Sequence, residues 1–201
     1  CISLASGAQD FAAAMAASRK LPASERTALA EARGLLVQQC NGTAFDAAAW
    51  PATIESKPGR EFLSYLRAAR AFYGEVWEDA RQGFAGLRKA RDPWVAEAAA
   101  YMLPRVELNA AQADSFDEWG SFAGPEKSDL AALARARAGF EAYLKRFAGG
   151  RYAASARGLL RRVQWLSGDV AGLARAYERL LAAAPAGGPA APAMIEEIDN
   201  K

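Results

Sequence analysis

The 201-residue sequence predicts an all-α protein built from stacked antiparallel helix pairs, and three observations carry that reading. About 50 residues are Ala, whereas Val and Ile together number about ten and Thr three. A chain so poor in β-branched residues favours helix over extended sheet. From residue 58 onward apolar side chains recur at spacings of three and four, which places them on one helical face. A short run also repeats. Ala80-Arg81-Gln82-Gly83-Phe84 is followed by Trp94 and Ala98, and Ala136-Arg137-Ala138-Gly139-Phe140 by Tyr152 and Ala156; Ala174-Arg175-Ala176-Tyr177 is a partial third copy. Small residues beside aromatics suit helices that approach closely, and a helix pair that cannot bury its apolar face alone stacks on its neighbours.

The elements follow in order. Residues 8–19 are Ala-rich and helix-compatible, and Ser24 is placed to cap a helix over about 25–40 with Leu29, Ala32, Leu36 and Cys40 on one face. Residues 41–57 read as loop, so 1–57 forms an N-terminal helical segment and loop packed on an array spanning 58–185. Pro58 suits a first helical turn, and Phe62, Leu66, Ala69 and Phe72 form the apolar stripe of a helix stopped near Gly74. Trp77, Ala80, Phe84 and Leu87 make a second stripe. Asp92 caps and Pro93 opens a third helix, with Trp94, Ala98 and Tyr101/Met102 on its inner face. Pro104 falls inside this pattern, and an interior proline costs about 3 kcal/mol, which predicts a bend near 100–104 before the helix resumes to about residue 114. Residues 115–128 break the periodicity as a connecting segment. Helices then run through Leu133–Phe147, Ala156–Leu166 and Leu173–Ala184, and 186–201 is a linker or tail whose MIEEIDNK end starts another helix.

Composition excludes several chemistries. The chain has no His, which removes Ser-His-Asp and Cys-His catalysis, His-ligated metals and a His general base. Asp114, Asp117 and Glu118 form the one tight acidic cluster, but adjacent helical carboxylates diverge and the spacing is not that of a cation loop; capping or a solvated connector is the expected role. No catalytic residue, cofactor or metal site is expected. The net charge is +2, yet residues 130–180 carry ten basic and three acidic side chains. That half reads as a solvated Arg face rather than a nucleic-acid surface. Of the five Trp residues, Trp77 and Trp94 fall on apolar stripes and are expected in the core, whereas Trp165 lies off its stripe, packed on a neighbouring helix or partly exposed. No apolar run reaches the 18 residues of a membrane helix. A first residue of Cys suggests removal of an upstream segment and export. A Cys1–Cys40 disulfide is the favoured state of the two thiols, with a lipid anchor at Cys1 or two free thiols as the alternatives.

Gly168-Asp169, with Tyr177 nine residues after the Gly and Pro185 eight further on, resembles the second half of a tetratricopeptide repeat. Tyr143-Leu144-Lys145-Arg146-Phe147, Gly149-Gly150 and Tyr152-Ala153-Ala154-Ser155-Ala156 resemble runs in tetratricopeptide proteins and assembly lipoproteins of the bacterial envelope, with Ala148 where those runs carry Pro. Asp92-Pro93-Trp94 through Phe116-Asp117-Glu118-Trp119-Gly120 is also similar to uncharacterised proteobacterial envelope proteins. The resemblance covers about residues 60–185. It implies a right-handed tetratricopeptide-like α-solenoid, periplasmic or outer-membrane-associated, acting as a non-catalytic binding or scaffolding module for an envelope protein or peptide. A helical accessory domain of a cell-wall-processing enzyme is the alternative. The first helix of each pair lines the concave groove in such arrays. Arg157, Arg161 and Gln164 share the i, i+4, i+7 spacing there, and Arg105, Asn109 and Gln112 repeat it one helix earlier. These six are the candidate partner-binding residues, suited to an extended peptide or its carboxylate; plain solvent exposure is the alternative for both sets.

Overall fold

A computed structural model describes residues 2–39, 50–51, 54–185 and 197, with the side chains of 2–6 and 37–39 left aside. The expected Cys1–Cys40 bridge and most of the 186–201 tail lie outside these residues. Eight α-helices make up the described chain: α1 (Ile2–Ala17), α2 (Ala23–Gln39), α3 (Lys57–Tyr73), α4 (Trp77–Leu87), α5 (Pro93–Ala111), α6 (Leu130–Arg146), α7 (Ala153–Leu166) and α8 (Val170–Ala183). Among the described residues the only pairing outside helices is a single antiparallel bridge, Phe116 to Phe122. No described helix is long and apolar enough to cross a membrane.

The chain divides into two compact units, Cys1–Val106 and Glu107–Lys201, and the division falls inside the span 58–185. In the first unit consecutive helices pack, α1 on α2, α2 on α3 and α3 on α4. Its centre is an aromatic cluster. Phe11 of α1 meets Phe62 of α3 edge-on at 5.4 Å, Phe62 stacks on Trp94 of α5 at 6.0 Å, and Tyr65 lies 4.9 Å from Trp94 and 5.7 Å from Phe84 of α4. Phe11, Phe62 and Phe84 are fully buried and Trp94 nearly so. Burial drives the Tyr65 hydroxyl pKa far above its ordinary value. Trp77, expected in the core, is half-buried at the start of α4 against Phe72.

Helix starts are set by side-chain caps. Ser56 accepts from the Gly59 amide at 3.0 Å, and Asp92 accepts from Trp94 and Val95 at 3.0 and 3.2 Å. Ser24 is not a cap: α2 already begins at Ala23, which puts Ser24 inside its first turn. A second device recurs. The Glu25 carboxylate of α2 accepts from the Glu55 and Ser56 amides, both 2.9 Å, just ahead of α3; Glu61 of α3 accepts from Arg91 and Asp92, both 2.9 Å, just ahead of α5. Glu25 to Glu61 and Ser56 to Asp92 are each 36 residues. Buried positions follow the same step: Leu36, Phe72 and Leu108.

Around Pro104, where a bend is expected, α5 is helical without interruption from Pro93 to Ala111, three residues short of the expected end. Proline removes one backbone bond, and burial of Tyr101, Met102, Val106 and Leu108 around it outweighs a cost of about 3 kcal/mol. The repeated Ala and aromatic positions hold in two copies, since Ala80, Phe84, Ala136 and Phe140 are all at 0% exposure. The third copy fails at Ala174, which is exposed on α8, although Tyr177 is buried.

Gly83 marks where α4 meets α3: a Cβ there would lie 2.7 Å from the Ala68 Cβ, whereas one on Gly86, a turn further, meets nothing within 4 Å. On an open helix Gly→Ala gains up to about 1 kcal/mol; in a filled contact overpacking costs about 1–3 kcal/mol. Chemical denaturation should therefore give opposite signs, Gly86→Ala raising stability and Gly83→Ala lowering it. Two stabilising substitutions would show that α3 and α4 do not make this contact.

Candidate functional site

The second unit holds α6, α7 and α8, each packed on the next. Asp129 caps α6 through Ala131 and Ala132 at 2.9 and 3.0 Å, and Asp169 caps α8 through Gly172 at 3.0 Å. Gly168 sits at φ +70° between α7 and α8, the left-handed conformation that suits Gly in a tight connection. Arg137 of α6 reaches Asp169 at 3.2 Å, tying α6 to the start of α8. The Gly172 amide, then Arg137, hold the Asp169 carboxyl below its ordinary pKa. Phe140 and Tyr143 of α6, Ala156, Val163 and Leu166 of α7 and Tyr177 of α8 form the buried spine. The Tyr143 hydroxyl accepts from the Tyr152 amide at 3.1 Å and so fixes the entry to α7.

Against this spine the three helices line an open pocket of about 310 Å³. Arg157, Arg161 and Gln164 of α7 line it, with Arg137 and Glu141 from α6 and Arg179 from α8; Leu160 and Leu180 supply apolar wall. Four arginines face one carboxylate among these side chains, so the pocket is basic. Arg161 grips the carboxylate of Glu197 through both prongs, Nε to Oε1 at 3.0 Å and Nη2 to Oε2 at 2.7 Å. The Tyr177 hydroxyl donates to the same Oε1 at 2.8 Å, and the Arg161 guanidinium lies 5.6 Å from the Tyr177 ring. The hydrogen bond to Glu197 raises the Arg161 pKa against the opposing effect of burial. Arg157 donates to the Ala148 carbonyl at 3.1 Å, which braces the α6–α7 connection.

The structure thus brings one expected triad together around a pocket and uses the other differently. Arg105 lies in the first unit, its guanidinium 5.2 Å from the Phe72 ring and 5.6 Å from that of Tyr101. Asn109 and Gln112 lie in the second unit, where the Gln112 amide nitrogen donates to Asn109 at 3.2 Å and its oxygen accepts from Arg162 Nε at 2.9 Å. These contacts tie the end of α5 to α7. Arg162, one position from Arg161, therefore serves another face: it lies 5.7 Å from both the Phe116 and Trp165 rings. Trp165 is partly exposed, one of its two expected states, and packs on the connecting segment, 4.5 Å from Phe122. That segment is a closed loop held by the buried Ser115–Ser128 hydroxyl pair at 2.8 Å. Asp117, from the acidic cluster, caps its turn by accepting from Trp119 and Ser121 at 2.9 and 2.8 Å. Much of the basic surplus of 130–180 is likewise used internally, as in Arg135 to the buried Glu107 at 2.8 Å. Sequence reasoning missed Arg137, Glu141 and Arg179 as lining of the pocket, and Tyr177 and Glu197 as the groups that meet Arg161 at its edge; the repeat copies at 136–140 and 174–177 pointed near them only by position.

Comparison with known proteins adds no relative: no family model matches the chain, and no curated protein or solved structure matches it significantly.

Proposed function

We propose that this chain is a non-catalytic interaction module of tetratricopeptide-like architecture, binding an extended peptide or partner protein in the groove formed by α6, α7 and α8. The observation that carries the reading is the basic pocket lined by Arg157, Arg161 and Gln164, with apolar wall beside its guanidinium groups. Such a surface recognises a carboxylate through bidentate hydrogen bonds and an adjoining aliphatic side chain through Leu160 and Leu180. The solenoid reading is supported by the 36-residue step of the Glu25 and Glu61 contacts, close to the length of a two-helix repeat. Placement in the bacterial envelope rests on the resemblance of the 143–156 run. Scaffolding of an envelope assembly, without a reaction, is the role that joins these features.

The test is a pull-down from envelope extract with wild type and the Arg157→Glu/Arg161→Glu double variant. Reversing two charges that each make charge-assisted bonds should weaken partner capture roughly tenfold or more, with the helical circular dichroism retained. Unchanged capture would reject the groove.

A further inference from the structure

The Arg161 seat is filled by the chain's own carboxylate. Glu197 lies 36 residues beyond Arg161 and 20 beyond Tyr177, and it is held by three hydrogen bonds of 2.7–3.0 Å. The fork of Arg161 and the Tyr177 hydroxyl together satisfy a planar carboxylate on both oxygens, a geometry that a hydroxyl or amide cannot fully use. The Arg161 side chain is only 16% exposed and that of Glu197 31%, so the contact is partly withdrawn from water and less screened than an open surface pair. One carboxylate does not balance the site: Arg137 is paired with Asp169, but Arg157 and Arg179 also border the pocket, with Glu141 the one carboxylate among its lining residues. In sequence Glu197 is flanked by Glu196 and Ile198, an acidic–aliphatic pattern that matches guanidinium groups beside Leu160 and Leu180.

We propose that the α6–α8 groove recognises an acidic–aliphatic segment of a partner protein through a carboxylate seated on Arg161 and Tyr177, and that Glu197 is its built-in competitor. The inference rests on the groove reading above and names its ligand chemistry and its control. Helix α8 ends at Ala183, and Glu197 lies 14 residues further along the sequence. A competitor so close in the same chain acts at an effective concentration on the order of millimolar. A partner must then displace the internal carboxylate, and its apparent affinity falls in proportion to the fraction of open groove.

The test uses full-length protein and a fluorescein-labelled peptide of this chain's own residues 193–201, AMIEEIDNK, read by fluorescence anisotropy. The Glu197→Gln protein should bind the peptide about tenfold more tightly than wild type, as expected when roughly nine-tenths of the groove is internally occupied. Binding should be lost when the peptide carries Gln in place of its Glu197, or when Arg161→Gln is added to the Glu197→Gln protein. Thermal melts followed by circular dichroism establish that both variants are folded. Equal binding by wild type and Glu197→Gln, or binding that survives loss of Arg161, would overturn the proposal. In the envelope pull-down, equal partner capture by wild type and Glu197→Gln, with Arg157→Glu/Arg161→Glu still impaired, overturns the competitor while the groove stands. Undiminished capture by the double charge reversal rejects the groove itself, and the competitor with it.

Discussion

Replacing Phe62 with Ala should lower the stability of the first unit by about 3–5 kcal/mol, the range for large aromatic truncations in a packed core. Phe62 is at 0% exposure and touches the rings of Phe11 and Trp94, so its loss opens a cavity shared by α1, α3 and α5. Edge-to-face and stacked ring pairs add to the loss of buried area. Against a total of about 5–15 kcal/mol for a domain, this is a large share. Urea denaturation followed by circular dichroism measures it. Phe62→Leu, which keeps most of the volume, should recover much of the loss; a change below about 1 kcal/mol for Phe62→Ala would show that the ring cluster is not the core of this unit.

Glu25→Ala should cost about 2 kcal/mol at neutral pH, since it strips the acceptor from the Ser56 hydroxyl and from the Glu55 and Ser56 amides. The effect should depend on pH. Burial pushes the Glu25 carboxyl pKa upward, but the bonds from Ser56 and Glu55 outweigh it and leave the pKa below its ordinary value of 4.5. A carboxylate with a depressed folded-state pKa contributes stability that is fully present above the unfolded pKa and is lost as pH falls through the folded one. The gap between wild type and Glu25→Ala should therefore be largest above pH 5 and shrink on acidification below about pH 4.5. Urea titrations at pH 7 and pH 3 read the difference, and a gap that is constant across them would show that the charge is not what holds the start of α3. Gly59 is part of the same joint: a Cβ there would lie 2.1 Å from the Glu25 carboxylate and 2.4 Å from Ile54, so only Gly leaves room for the bond.

These results bear on how the repeat is built. Glu25 and Glu61 each take two amides from the residues preceding a later helix, and that joint recurs at 36 residues. It was not legible in the sequence, because an exposed-looking Glu in the first turns of a helix reads as a favourable dipole partner and nothing more. What was legible was the Ala-Arg-x-Gly-aromatic run, whose Ala and aromatic members are buried in both full copies. The run failed at Ala174 because a partial match carries too few apolar positions to fix which face of α8 turns inward.

The same division holds for the pocket. The i, i+4, i+7 spacing of Arg157, Arg161 and Gln164 places three side chains on one face of α7, and helical geometry alone is enough for that. The identical spacing at Arg105, Asn109 and Gln112 does not line this pocket, since Arg105 lies against Phe72 and Tyr101 and Gln112 is taken by Arg162. Sequence by itself determined the helical class, most helix boundaries, the capping Asp92 and most of the buried positions outside α8, because each depends on neighbours within a turn or two. Tertiary structure decided the rest. The continuity of α5 through Pro104, the division at Val106, the joints made by Glu25 and Glu61, and the meeting of Arg161, Tyr177 and Glu197 all depend on contacts between residues distant in the chain or on packing around them. Periodicity reports which face of a helix is apolar; which residue lies opposite that face is set by how the helices stack.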